Sequence, residues 1–200
     1  MMLAWKKNQS HGGRRCFVVA NAGKEFEKQF KESCPKDVYF LRLRDSATGF
    51  SGGNTSFTVK SEYDCQLYKD GVLYALELKS KGSKRLAYKT NGKGTLDIKQ
   101  HQINNLNKAS AFGIKAGFIF NFRTVNETFF VPIQVFNTIT NFGMSEKCSI
   151  SIEDVKRYIG EGVVLIPQRL KKVNYTYDLS VLFEWYFFTI NLPKTVKILI

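Results

Sequence analysis

The spacing of apolar residues along the chain predicts an alternation of helices and strands. Phe26, Phe30 and Cys34 recur every fourth residue and predict a first helix over residues 23–34. The other predicted helices cover residues 95–112, 132–140, 152–159 and 177–188. Alternating patterns typical of strands cover residues 38–44, 57–68, 72–79, 114–122 and 128–131. This order of elements predicts a single α/β domain.

The strongest local signal is a β-hairpin whose turn is Asp70-Gly71, a dipeptide that two-residue turns favour. A two-residue turn fixes the register of the two strands, and this register places Asp64 directly opposite Glu77. Because side chains alternate along a strand, Asp64, Glu77 and Lys79 share one face, which is the less apolar face of the hairpin.

Composition narrows the classes of protein to which the chain can belong. The 200 residues include 30 Lys and Arg against 17 Asp and Glu, which gives a net charge of +13 and favours a polyanionic partner. Hydrophobic residues make up 44% of the chain, enough to exclude wholesale disorder. Apolar runs stay far below the ~20 residues of a spanning helix, and the N-terminus lacks the apolar core of a signal peptide. We therefore expect a cytoplasmic protein with no membrane partner.

Cysteine and histidine usage restricts the chemistry that is available. The four cysteines are scattered without C-x-x-C spacing, which disfavours structural zinc and predicts reduced, mostly buried thiols. Only two histidines are present, which argues against His-based triads and multi-His metal sites. Any chemistry is therefore expected to depend on carboxylates, lysines and water. Residues 1–15 are polar and basic and are predicted to form a flexible arm, followed by one domain over 16–200.

Two carboxylates that face each other across a strand pair repel by roughly 0.2–1 kcal/mol. Their pairing at Asp64 and Glu77 therefore predicts a compensating cation. Oxygen ligands favour Mg²⁺, with Mn²⁺ as the other choice. Lys79 can neutralise part of the charge and can hold or deprotonate a water molecule. The alternative is an ordinary cluster of charges on a solvated sheet face, because the Glu-x-Lys tripeptide is common.

One polar residue on each long helix points toward the same sheet. On the first helix, Glu27 lies about 60° from the centre of the apolar stripe and can reach the sheet, whereas Glu25 lies about 140° away. On the second helix, Gln102 lies near the middle of an apolar stripe. That stripe consists of Ile98, Leu106, Ala109 and Phe112. The alternative for Gln102 is a hydrogen-bonded core amide.

Two basic segments are candidates for contacts with DNA. Residues 79–96 contain six cations and no acid. The six cations are Lys79, Lys81, Lys84, Arg85, Lys89 and Lys93. Residues 45–54 contain three glycines and are predicted to form a flexible loop or the tip of a projecting arm, flanked by Arg42, Arg44 and Lys60. We predict that Lys81, Lys84 and Arg85, together with Arg42 and Arg44, contact DNA phosphates.

The order of these motifs resembles a known family. Asp64-x12-Glu77-x-Lys79, preceded by Gly23-x3-Glu27 on a helix and followed by His101-Gln102 on another, is similar to the PD-(D/E)xK nuclease core. Within that superfamily it resembles the RecU-type Holliday junction resolvases of Gram-positive bacteria and their phages. The resemblance extends from residue 21 to the segment 162–178. Two departures, Ala22 in place of an Arg and the Cys65-Gln66-Leu67 segment after Asp64, suit a diverged phage homologue.

The resemblance implies a restriction-endonuclease-like core, with a central mixed β-sheet flanked by helices and a stalk-like insertion over about 42–60. It implies a homodimer that resolves four-way DNA junctions by paired nicks in recombination or repair, with Mg²⁺ or Mn²⁺ at each active site. In the implied assignment, Asp64, Glu77 and Glu27 hold the metal, Lys79 activates water or stabilises charge, and Gln102 orients a group at the site. A host recombinase is a further implied partner, and a phage-encoded protein would act in the host cytoplasm.

Two alternatives remain open from the sequence. The first is a general or restriction-type DNA nuclease on the same core, for which the sequence shows no identifiable element that contacts base edges. The second is a non-catalytic DNA-binding regulator of recombination with a vestigial acidic site. The joint presence of Glu27, Asp64, Glu77 and Lys79 argues against the second, because a degenerating site is expected to lose such costly neighbours.

Overall fold

The computed structural model describes residues 21–43, 46–48, 57–59, 61–90, 94–141 and 147–184. The predicted arm at residues 1–15 lies outside them. In chain order the elements are α1 (Ala22–Glu32), β1 (Tyr39–Arg42), β2 (Ser46–Thr48), β3 (Phe57–Val59), β4 (Cys65–Lys69), β5 (Val72–Lys81), β6 (Arg85–Ala87), α2 (Gln100–Ala111), β7 (Lys115–Phe122), β8 (Glu127–Pro132), α3 (Ile133–Asn141), β9 (Ser149–Ser151), α4 (Ile152–Lys156), β10 (Val164–Ile166), β11 (Gln168–Lys171) and β12 (Asn174–Tyr177).

Six strands form a central mixed sheet in the order β1-β4-β5-β7-β8-β10. Strands β5 and β7 run parallel, joined by a connection that contains α2, and the other neighbours are antiparallel. The remaining strands form the pairs β2-β3, β6-β9 and β11-β12. The predicted α/β fold, a central mixed sheet flanked by helices, is thereby confirmed.

Each face of the sheet carries its own apolar core. On one face α2 and α3 cover the sheet, and the ring of Phe136 lies 4.8 Å from that of Phe118. On the other face α1 packs against β12, and the rings of Phe26 and Tyr177 meet edge to face at 5.4 Å. Both faces of β5 and β7 are therefore buried, which is typical of a parallel strand pair in an α/β protein.

Two positions require glycine or a tight turn for clear reasons. Asp70 and Gly71 both have positive φ values of 49° and 80°, as a two-residue hairpin turn demands. At Gly117 in β7, a Cβ atom would lie 2.5 Å from the carbonyl oxygen of Val131 on β8. A side chain at this position would push the two central strands apart.

The second helix begins later than the sequence predicts. Helix α2 starts at Gln100 because the backbone of Lys99, its N-cap residue, is extended. Before it, the backbone amides of Asp97 and Ile98 both donate to Ala87 O, at 2.9 and 3.0 Å. Phe112, predicted to lie in the buried stripe, is 80% exposed. The helix ends at Ala111, so Phe112 falls beyond the last turn that packs on the sheet.

Two other predicted elements are wrong in part. The strand predicted over 57–68 is two strands, because β3 pairs with β2 while β4 pairs with β1 and β5. Residues 46–48, predicted as part of a flexible segment, are strand β2, whereas residues 49–56 lie outside the described part of the chain. The stalk therefore stays a prediction.

The helix predicted over 177–188 begins later. Tyr177 ends strand β12, where it pairs with Gln168 and its amide donates to Ser33 Oγ at 3.0 Å. A helical turn begins at Ser180, and residues 185–188 lie outside the described residues. Of the described helices, none is long and apolar enough to cross a bilayer.

Candidate active site

The hairpin β4-β5 brings the two predicted carboxylates together in the predicted register. Cys65 pairs with Leu76, which sets Asp64 opposite Glu77 at the open end of the ladder. The Asp64 amide donates to Leu76 O at 3.2 Å, and Asp64 Oδ2 accepts the amide hydrogen of Leu78 at 2.7 Å. The Asp64 side chain is thus fixed against the backbone of the strand that carries Glu77.

Glu77 lies in the interior of the protein, where its carboxyl group contacts the polar side chains of Lys79, Gln102 and Asp64. Its side chain is 3% exposed, and its Oε1 is 2.8 Å from Lys79 Nζ, which is 18% exposed. The same oxygen accepts a hydrogen bond from Gln102 Nε2. The face that carries Glu77 also carries Ala75 and Phe118 in the core beneath α2, so it is not the solvated face that the sequence allowed.

Gln102 reaches Glu77 from the first turn of α2. Its Oε1 accepts the backbone amide hydrogen of Lys99 at 2.9 Å, which leaves the Nε2 end directed at Glu77. One side chain therefore caps the helix start and orients a carboxylate. Gln102 is hydrogen-bonded at both ends of its amide, but it is only half-buried and so is not the core amide that the sequence offered as an alternative. It lies beside the acidic cluster, which consists of Asp64, Glu77 and the nearby Glu27.

Glu27 approaches the cluster from α1. It is half-buried and forms an ion pair with Arg42 at the end of β1. Asp64 is the acidic side chain whose charge acts on Glu27. Arg42, predicted to contact DNA, is thus engaged with Glu27, a partnership that no local pattern indicates because the two residues are 15 positions apart.

Burial shifts all three carboxylates toward their neutral forms. Desolvation, followed by the charge of Asp64, raises the pKa of Glu77 to about 7. Desolvation likewise raises the pKa of Asp64, against the Leu78 hydrogen bond and the charge of Lys79, which lower it. The pKa of Glu27 is raised by burial first and by Asp64 second. The cluster holds more negative charge than Lys79 and Arg42 compensate.

This donor set fits a hard divalent cation in chemical type. Its members offer carboxylate oxygens, and Mg²⁺ is commonly bound in proteins by one or two carboxylates with water and phosphate in the remaining positions. Within the described ranges no group of three or more His, Cys, Asp or Glu side chains is arranged to hold a metal ion. Asp64 and Glu77 are therefore the candidate pair, and Glu27 is turned to Arg42.

The predicted basic segment is only partly available to a ligand. Lys81 Nζ lies 2.5 Å from Asp97 Oδ1, and Asp97 Oδ2 accepts the amide of Ala87 at 2.9 Å, so Lys81 is held against the protein. Lys84 and Arg85 are exposed. Arg44 lies outside the described residues. The pairing of Lys81 with Asp97 was not predicted, because Asp97 comes directly after residues 79–96, which contain no acid.

Comparison with known proteins finds no matching protein-family model. The chain is 32% identical over 169 residues to the SPbeta prophage-derived uncharacterized protein YotM of Bacillus subtilis (strain 168), a match that covers 80% of this chain and 84% of YotM. The chain belongs to the YotM family.

Among solved structures, this YotM-family chain matches Hjc, a Holliday junction resolvase of Archaeoglobus fulgidus. The match has a TM-score of 0.41 and 15% identity, and it covers 66% of this chain and 88% of Hjc.

Proposed function

We propose that this YotM-family protein is a divalent-metal-dependent DNA endonuclease of the RecU type, which resolves four-way junctions by paired nicks as a homodimer. The observation that carries the proposal is the convergence of Asp64, Glu77, Lys79 and Gln102 at one end of β5. A buried carboxylate pair destabilises the fold, so its presence beside an oriented lysine and amide favours a site for chemistry.

Each side chain has a separate role in the proposed reaction. Asp64 and Glu77, with Glu27 after release from Arg42, would hold Mg²⁺ or Mn²⁺. When bound, the metal supplies charge neutralisation at the phosphate and lowers the pKa of water. Lys79 Nζ, already within 2.8 Å of Glu77, can position the attacking water or stabilise charge on a phosphate oxygen. Gln102 holds Glu77 in place.

The charge of the chain and its relative support the substrate and the setting. A net charge of +13 favours a polyanion, and the exposed Lys84 and Arg85 can contact backbone phosphates. The relative YotM is named as prophage-derived, which supports a phage-encoded protein that acts in the host cytoplasm. A host recombinase as partner stays a prediction.

One assay separates the proposed function from its alternatives. The protein is incubated with a labelled four-way junction, a linear duplex and single-stranded DNA, each with Mg²⁺ and with EDTA. Symmetric nicks in the junction only with Mg²⁺ are the expected result. Equal cutting of all substrates would indicate a general nuclease, and junction binding without cutting would indicate a regulator.

A matched pair of variants links any cutting to the described site. Glu77→Gln is expected to abolish nicking while junction binding remains. Glu62→Gln removes an exposed carboxylate two residues before Asp64 and is expected to cut like the wild type. If Glu77→Gln still cuts, the nuclease activity belongs elsewhere or to a contaminant.

A further inference from the structure

A cavity of about 300 Å³ opens on the face of the sheet opposite the acidic cluster. It lies between the first turns of α1 and the β11-β12 hairpin, and the ends of β5 and β7 form its floor through Ser80 and Asn121. This volume is at the lower limit for small-molecule sites. It is large enough for a group the size of one nucleobase.

The floor of the cavity is a chain of hydrogen-bonded polar side chains within an apolar sheet. Ser80 Oγ donates to Asn121 Oδ1 at 2.9 Å, Asn121 Nδ2 donates to Thr128 Oγ1 at 2.8 Å, and Thr128 Oγ1 donates to Gln168 Oε1 at 2.6 Å. Asn121 is 5% exposed and Thr128 is fully buried. Apolar residues would fill these positions at lower cost, as they do elsewhere on the two strands.

This series of hydrogen bonds fixes the side-chain amides of Asn121 and Gln168 in place along the cavity. An amide side chain has two protons to donate and two acceptor sites, and the hydrogen bonds of the floor use one of each on Asn121. The remaining donor and acceptor capacity is the pattern that matches the edge of a base. Gln168 stands at the other end of the same chain.

The walls also include Glu25, whose Oε1 accepts a hydrogen bond from Gln29 Nε2 at 3.1 Å, and two other lining residues suit the remaining parts of a nucleotide. Tyr175 lines the cavity, and its hydroxyl donates to Asn126 Oδ1 at 3.0 Å, which fixes the ring as a stacking surface. Arg123 lines the cavity from the exposed turn after β7, and no described carboxylate forms an ion pair with it. A guanidinium at this point suits the phosphate attached to a bound base.

The cavity is one residue along β5 from the acidic cluster. Ser80 follows Lys79, and adjacent side chains on a strand point to opposite faces, so one strand end carries both sites. A DNA strand that crosses this end of the sheet from one face to the other would bring a phosphate to the acidic cluster and a neighbouring base to the cavity.

We propose that this cavity binds one unpaired nucleobase of the DNA strand that is cut, and so selects the position of the nick. The inference rests on the proposed function. A base that is stacked and paired inside a duplex cannot enter a cavity of the protein, so the bound base must leave the stack, as bases do in enzymes that act on extruded bases.

The test combines a scan of the DNA with a change in the protein. Full-length Glu77→Gln protein, which is expected to bind without cutting, is titrated with junctions that carry one abasic nucleotide at each position around the centre. Loss of a stacked base is expected to weaken binding about tenfold at one position and to leave the others unchanged. Adding Tyr175→Ala is expected to weaken binding to the intact junction by a similar factor.

The decisive result is the combination of the two changes. An abasic nucleotide at the sensitive position should have no further effect on the Tyr175→Ala protein, because both changes remove the same stacking interaction. Effects that multiply, or the absence of any sensitive position, would overturn the proposal. Tyr39→Ala, which removes an exposed tyrosine at the far edge strand, serves as the control and should not change the scan.

Two further arrangements keep the result interpretable. If Tyr175→Ala does not fold, Ala22→Leu places a larger side chain in the cavity at a half-buried first helix position and should abolish the sensitivity to the abasic nucleotide. If binding depends on one abasic position but the wild-type protein does not nick, only the proposed endonuclease activity is rejected. If the wild-type protein nicks but no abasic position affects binding, only the proposed base-binding cavity is rejected.

Discussion

Two clusters of buried polar side chains lie at the same end of β5 and β7, on opposite faces of the sheet, and they differ in charge. The acidic cluster beneath α2 holds Asp64 and Glu77, and burial raises the pKa of both. The other cluster, beneath α1, is a neutral network in which Ser80, Asn121, Thr128 and Gln168 are joined by hydrogen bonds. The acidic cluster lowers the stability of the metal-free protein. The neutral network raises the stability of the protein.

This difference shows what each cluster can be used for. A carboxylate pair whose charge is not fully neutralised is stabilised when a cation binds. The repulsion that destabilises the free protein is then relieved, and this relief strengthens the binding of the cation. A neutral network gains nothing from a charge, but it holds amides rigidly and can distinguish ligands by hydrogen-bond pattern.

The largest expected effect is the loss of nicking in Glu77→Gln. The variant keeps the shape of the side chain and its contact with Gln102 but removes one charge from the candidate metal site. We expect the nicking rate to fall by roughly a hundredfold or more, because metal-ligand and acid–base roles are typically worth that much. Gel assays of junction cutting over a range of Mg²⁺ concentrations measure it. Recovery of the full rate at high Mg²⁺ would show that Glu77 affects metal affinity alone.

The same substitution should change the pH dependence of stability in EDTA. The pKa of Glu77 is about 7 in the folded protein against 4.5 as its ordinary value, so its neutral form favours folding. The stability linked to this group is fully present below pH 4.5 and is lost as pH rises through about 7. Glu77→Gln should therefore be more stable than the wild type by up to a few kcal/mol at pH 8, and by much less at pH 5.

Urea unfolding at both pH values provides the measurement for that prediction. The raised pKa values of Asp64 and Glu27 act in the same direction, so some pH dependence should remain in the variant. A wild type and variant with parallel stability curves from pH 5 to pH 8 would mean that Glu77 is ionised throughout, with Lys79 as a sufficient partner.

The neutral network should respond in the opposite way, with a loss of stability that does not depend on pH. Thr128→Val keeps the shape of a fully buried side chain and removes the hydroxyl between Asn121 and Gln168. The two amides lose a partner each, which we expect to cost about 1–3 kcal/mol. Thermal unfolding at pH 5 and pH 8 checks it, with Thr138→Val on the exposed side of α3 as the control.

The acidic cluster was predictable from sequence because its geometry is local. A two-residue turn at Asp70-Gly71 sets the register, and the register sets Asp64 against Glu77. The spacing of apolar residues, which is also local, located α1, β7 and β8 closely. Gln102 could be found because an amide within an apolar helical stripe is unusual.

The neutral network could not be predicted as a whole, because two of its three hydrogen bonds join residues at least 40 positions apart. Ser80 meets Asn121 through the parallel pairing of β5 with β7, Asn121 meets Thr128 through the antiparallel pairing of β7 with β8, and Gln168 reaches Thr128 from β11. The hydrogen bonds from Asp97 and Ile98 to Ala87 O, just before the start of α2, could not be predicted either, because Ala87 O is a tertiary acceptor. Short strands such as β11 and β12 have too little periodicity to identify.

The smallest expected effects concern charges outside both clusters. Lys84 and Arg85 are exposed, whereas Lys81 is paired with Asp97. Removing one cation that binds a phosphate should flatten the dependence of log affinity on log salt by about one unit. We therefore expect Lys84→Ala and Arg85→Ala each to reduce that slope, and Lys81→Ala to change it less, because Lys81 must first leave Asp97 to reach a phosphate. Filter binding of the Glu77→Gln protein to a junction at several salt concentrations measures the three slopes, and a Lys81→Ala effect equal to the other two would show that Asp97 releases this lysine when DNA binds.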